Sequence, residues 1–173
     1  EAVEGDVSAR DGLVKSHRFL AVNTALPYIR GDGETIARIE AFMQDEKLGV
    51  DIFALRGATE AHYALDKSRP ALVAGGEYEF DVVVRNKGVG HTFPGGTNDS
   101  NEGWLEVSVV GEDGEALVLS GAVQDDGNVD PAAHFYKALM VDNQGRAIHR
   151  RNAQDIVTAV YVRTIGPGTA DIA

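Results

Sequence analysis

Gly75-Gly76-Glu77-Tyr78-Glu79-Phe80-Asp81-Val82-Val83-Val84 sets the class of this chain. Tyr78, Phe80, Val82 and Val84 alternate with Glu77, Glu79 and Asp81, the period of two of a strand with one apolar face. The paired glycines supply a turn before it. Downstream, residues 104–110 alternate again, with Leu105, Val107 and Val109 on one face and Trp104 expected in the core. Glu112-Asp113-Gly114-Glu115 reads as a hairpin turn of type I′, and residues 117–119 as its return strand. Residues 135–141, a turn at Asp142-Asn143-Gln144-Gly145 and residues 156–164 add further strands. Upstream, residues 50–55 are strand-like, with Ile52 and Phe53 as the expected buried pair.

One helix precedes this β-rich region. It is expected to begin near Asp32 or Gly33, with Asp32 as N-cap and Glu34 favourably placed in the first turn. Its apolar stripe is Ile36, Ile39, Phe42 and Met43, and Gly49 is expected to end it. The segment before it reads as irregular. The predicted architecture is therefore mainly β, an Ig-like or Greek-key β-sandwich after an irregular segment and one helix. Residues 1–48 form the leading segment and 49–173 the sandwich. Ile165-Gly166-Pro167-Gly168 reads as a turn before another strand, so the sandwich is expected to be truncated at its C-terminal side.

Composition narrows the function. The 173 residues are 43% hydrophobic and 25% charged, as in ordinary globular proteins. A net charge of -11 argues against nucleic acid, because a polyanion needs a basic footprint. No apolar run approaches the roughly 20 residues that span a bilayer as a helix. The absence of cysteine removes disulfides and thiolate metal sites from consideration. Twenty glycines against five prolines fit many tight turns between strands.

The loop Asn86-Lys87-Gly88-Val89-Gly90-His91-Thr92-Phe93-Pro94-Gly95-Gly96, with Trp104-Leu105-Glu106-Val107 and the turn at Glu112-Asp113-Gly114, resembles the haem-free C-terminal β domain of multihaem c-type cytochromes. Ser16-His17-Arg18-Phe19 followed by Asn23-Thr24-Ala25-Leu26-Pro27 is similar to the stretch after the last haem-binding motif of such proteins. Asp130-Pro131-Ala132-Ala133-His134-Phe135-Tyr136 and Ile165-Gly166-Pro167-Gly168 resemble later segments. The resemblance implies a structural or docking domain of a periplasmic or extracellular electron-transfer protein. Its partner would be a haem-bearing domain or a redox protein. Covalent haem attachment needs Cys-x-x-Cys-His, which this sequence lacks, so haem c would sit on an upstream segment or a partner chain.

Histidine is a standard axial haem ligand, and two positions are candidates. His17 would lie nearest an upstream haem domain, as a ligand or as an interdomain hydrogen-bonding residue. His91 sits in a stiff loop, as a ligand or as a brace for backbone groups. His62, His134 and His149 share no ligand spacing, and no His-x-His or His-Glu-x-x-His pair occurs. Asp125, Asp126, Asn128 and Asp130 offer hard oxygens suited to calcium, or a solvated turn. Asn98, Asp99, Asn101 and Glu102 carry the same two readings. No nucleophile elbow or catalytic pair is present, so no reaction is assigned. The alternative is a free-standing Ig-like or carbohydrate-binding module, with Tyr136, Tyr161 and Trp104 as sugar-stacking rings and calcium as a structural ion.

Overall fold

The computed structural model describes residues 7, 9–14, 20–65, 67, 70–97, 100–149 and 152–173. The chain divides into two compact units, 1–47 and 48–173.

In the first unit, α1 spans Ala25–Ile29 and α2 spans Gly33–Gln44. The single turn of α1 falls where an irregular segment was expected. Pro27 is tolerated there because the first turn of a helix has no intrahelical acceptors for its N–H groups. Asp32 caps α2 as its sequence predicts: its carboxylate accepts from the Thr35 N–H at 3.0 Å and from the Thr35 hydroxyl at 2.7 Å. Glu34 and Arg38 pair across one turn at 2.6 Å. The helix stops at Gln44, not at Gly49, because Glu46 turns into the left-handed region at φ 47°. Ile39 is its buried side chain, while Phe42 and Met43 are exposed.

The second unit is antiparallel β. Its strands are β1 (Leu48–Arg56), β2 (Ala61–Tyr63), β3 (Glu79–Asn86), β4 (Gly103–Leu105), β5 (Val107–Val110), β6 (Ala116–Ser120), β7 (His134–Val141), β8 (Ala147–Ile148), β9 (Thr158–Arg163) and β10 (Ala170–Ile172). One sheet runs β10-β3-β1-β2, with the decisive alternating segment, β3, in its interior. A second sheet is built on β7, which pairs with β4, β8 and β9. The hairpin β5–β6 stands as a separate ladder. Val82 and Val84 of β3 meet Tyr136 of β7 and Ile165 in one buried cluster, with Phe93, Leu105 and Ala173 packed against it. Two sheets thus share a core, as in a sandwich.

Several expectations shift for identifiable reasons. Ile52 is 47% exposed, and the buried pair of β1 is Ala54 and Leu55. A register break between Ile52 and Ala54 lets Phe53 slip out of the alternation and re-phases the strand. Phe80 is exposed, whereas Val83 is buried along with Val82 and Val84, so β3 is covered on both faces at its centre. The strand expected over 104–110 breaks at Glu106 into β4 and β5, and Trp104 is 38% exposed, not a core residue. The Asp113-Gly114 turn is not type I′, since only Gly114 has a positive φ, 85°. A hydrogen bond from Gly114 N–H to Gly111 C=O closes a turn whose last residue is left-handed. The same construction recurs at Gln124–Gly127 and at Asp142–Gly145.

Candidate functional site

The glycine-rich loop after β3 is organised by one side chain. Asn86 is 1% exposed and is the buried polar residue of the core. Its amide donates to the carbonyls of His91 at 2.9 Å and Ile165 at 3.3 Å, and its side-chain oxygen accepts from the Val89 N–H at 3.0 Å. Its backbone N–H donates to Thr169 C=O and its carbonyl accepts from the Gly168 N–H, both at 3.0 Å. Phe93 and Ile165 exchange two backbone bonds of 2.8 Å, tying the far limb of the loop to the core. Buried polar groups are stable only when paired, and here both amide protons and the amide oxygen are used.

His91 stands exposed on this stapled loop. Its Nδ1 lies 2.8 Å from the Thr92 carbonyl. A carbonyl only accepts, so Nδ1 carries a proton in this contact, and in the neutral tautomer that makes it the lone pair lies on Nε2. Gly95 lies flush against the same ring: a Cβ there would overlap Nδ1 and Cε1 of His91. Asn101 closes the loop by donating to Gly95 C=O at 2.7 Å. The peptide between Phe93 and Pro94 is cis.

A second polar group lies along β7, β9 and β10. Arg163 Nη1 is 3.0 Å from Nδ1 and 2.7 Å from Nε2 of His134. A guanidinium only donates, so this contact requires an unprotonated imidazole nitrogen. Asp171 Oδ2 lies 3.5 Å from His134 Nε2 and 3.9 Å from Arg163 Nε. Tyr136 is 2% exposed, its ring 5.1 Å from that of His134. Among the described residues, neither its hydroxyl nor Asp171 Oδ2 has a hydrogen-bond partner. Burial, reinforced by the Asp171 charge, pushes the Tyr136 phenol up to about 12. Burial first, then the Arg163 charge, lowers His134 against a weaker opposing pull from Asp171.

That shift fixes a pH dependence. The unfolded imidazole takes up a proton near its ordinary 6.5, whereas the folded one resists until lower pH. Between the two values the unfolded state binds more protons, so stability falls as pH drops below 6.5 and is complete above it. Urea midpoints measured between about pH 7 and pH 5 should decline in the wild type, and His134→Gln should flatten that decline.

The other sequence candidates fall as follows. His17, with Ser16, Arg18 and Phe19, lies outside the described residues, as do Asn98 and Asp99. Asp125, Asp126, Asn128 and Asp130 sit together in the loop between β6 and β7. Asp126 accepts from the Asn128 N–H at 2.9 Å and from its side-chain amide at 2.8 Å, and these bonds hold its carboxyl below the usual range. Asp130 accepts from the Ala132 N–H at 2.9 Å. Asp126 and Asp130 thus shape the turn. Among the described residues no three His, Asp or Glu groups gather closely enough to hold an ion. Glu102 pairs with Lys137 at 3.5 Å.

Sequence reading did not anticipate the roles of Asn86, Arg163 and Asp171. For Asn86 a signal exists: an asparagine ending an apolar strand, just before Gly88 and Gly90, is placed to hydrogen-bond the backbone of the loop it opens. Arg163 and Asp171 carry none, since they meet His134 only through strand pairing. Comparison with family models, with curated proteins and with solved structures finds no match to this chain.

Proposed function

We propose that this chain is a non-haem structural and docking domain, an Ig-like sandwich, of a periplasmic or extracellular multihaem electron-transfer cytochrome. In this reading it offers His91 to an iron carried elsewhere. The observation that supports it is the presentation of His91. Its proton sits on Nδ1 against the Thr92 carbonyl, which orients the ring and leaves Nε2 as the free donor on an exposed, stapled loop. Metal-ligating histidines commonly have their second nitrogen bonded in this way. The residues therefore fit a haem group, with His91 as the holder from this chain. Bound haem would supply one-electron chemistry, while the chain would orient the imidazole and exclude solvent on its side. The acidic balance suits docking of a basic partner.

The test is a visible spectrum of the full-length polypeptide from its native source, with and without His91→Ala. A Soret band that shifts on reduction is expected, and the substitution should move the oxidised spectrum from low spin toward high spin. A colourless protein that does not copurify with haem would overturn the reading. A coloured protein with an unchanged spectrum after His91→Ala would remove His91 as a ligand.

A further inference from the structure

The outward face of β7 carries a second candidate surface. An open groove of about 460 Å³ runs there, lined in part by Glu102, Asn128, Phe135, Lys137 and Tyr161. Its floor is the outer face of β7, where Phe135, Lys137 and Leu139 alternate with the inward-facing Tyr136 and Ala138. One wall is the loop containing Asn128 and Pro131. Trp104 is the register partner of Phe135 across β4 and β7, so both rings project from the same side of the sheet.

We infer that this groove binds a neutral oligosaccharide. Three features carry the inference. First, one ring is exposed and held: Tyr161 is 39% exposed, and its hydroxyl donates to the Phe135 carbonyl at 3.0 Å, which fixes the ring's orientation. An aromatic face fixed in advance costs little entropy on binding, and the C–H face of a sugar ring is apolar enough to lie on it. Second, polar groups flank the rings. The Asn128 amide, the Glu102 carboxylate and the Lys137 ammonium offer both donors and acceptors to hydroxyl groups. Third, the local charges cancel. Lys137 pairs with Glu102 at 3.5 Å and sits 3.8 Å over the Phe135 ring. A locally neutral groove on a chain of net charge -11 disfavours polyanions and gives a cation no unpaired carboxylate. A ligand with many hydroxyls and no charge fits this balance, and an open groove of this size suits several sugar units in a row.

Trp104 is the sole tryptophan, so its fluorescence reports on this face without a label. Titration with cellohexaose, mannohexaose and chitohexaose should give a saturable change with at least one of them. Tyr161→Ala should weaken that binding by about tenfold or more. Glu102→Gln, an isosteric change at the surface, should weaken it several-fold without moving the urea midpoint, and it stands as the test should Tyr161→Ala fold poorly. Three results would overturn the inference. One is no saturable signal up to the solubility limit of every hexaose. Another is equal binding by both variants and the wild type. The last is a response to polygalacturonate or heparin alone.

Discussion

Asn86→Ala should cost about 3 kcal/mol of unfolding free energy and lower the Tm by roughly 10 °C. The substitution removes the donor of two hydrogen bonds and the acceptor of one in a single step. The Ile165 carbonyl and the Val89 N–H would then lose a side-chain partner beside a core residue that is 2% exposed. An unsatisfied buried group costs about 1–3 kcal/mol, but the Ile165 carbonyl keeps the Phe93 N–H and water can reach part of the loop, so the sum falls short of three full penalties. Asn86→Asp should be at least as damaging, since it keeps the acceptor, loses both donated bonds and buries a charge facing two carbonyls. Urea unfolding of the three proteins checks this. Near-equal midpoints would mean that the loop stands without its staple, and the oriented presentation of His91 would lose its structural basis.

Tyr136→Ala should be at least as destabilising, by about 3–5 kcal/mol, because it empties the centre of the shared core. The ring lies against Val82, Val84 and Ile165, with the Phe93 ring 6.4 Å away. Tyr136→Phe should behave oppositely and stay within about 1 kcal/mol of wild type at neutral pH, since among the described residues the hydroxyl it removes makes no hydrogen bond of normal length, Asp171 being its nearest polar neighbour. The same pair separates at alkaline pH. Raising the folded phenol from 10.0 to about 12 means that the unfolded state loses its proton first. The wild type therefore keeps its full stability below 10 and loses it as pH rises toward 12, a loss that Tyr136→Phe should abolish. A large cost for Tyr136→Phe at neutral pH would show that the hydroxyl is hydrogen-bonded in the folded state, with the Asp171 carboxylate as its neighbour.

Much of the β architecture was legible one segment at a time. The alternation of β3, the return strand after Gly114 and the long strand β7 each announce themselves by period and turn chemistry. Asp32 announces the start of α2 by side-chain chemistry that acts within a single turn. Structure and local pattern part where a distant partner sets the outcome. The bulge at Phe53 depends on the register of β1 against β3, and it moved burial from Ile52 to Ala54 and Leu55. Trp104 was expected inside because large aromatics usually are, yet β4 presents it on the same outer side as Phe135.

The site divides in the same way. Residues 86–96 could be recognised as a shaped loop because glycine and proline restrict the backbone locally. The tautomer of His91 and the fit of Gly95 beneath its ring depend on how that loop closes, which Asn86 and Ile165 determine from 79 residues apart. The meeting of His134, Tyr136, Arg163 and Asp171 depends on three strands coming together, and so does the groove beside Tyr161. By itself the sequence determined what is local: strand period, turn positions, a helix cap and an acidic, cysteine-free surface. Tertiary structure alone decided which side chains meet. Strand pairing joins residues far apart in the chain, and a one-residue change of register sends every side chain to the opposite face.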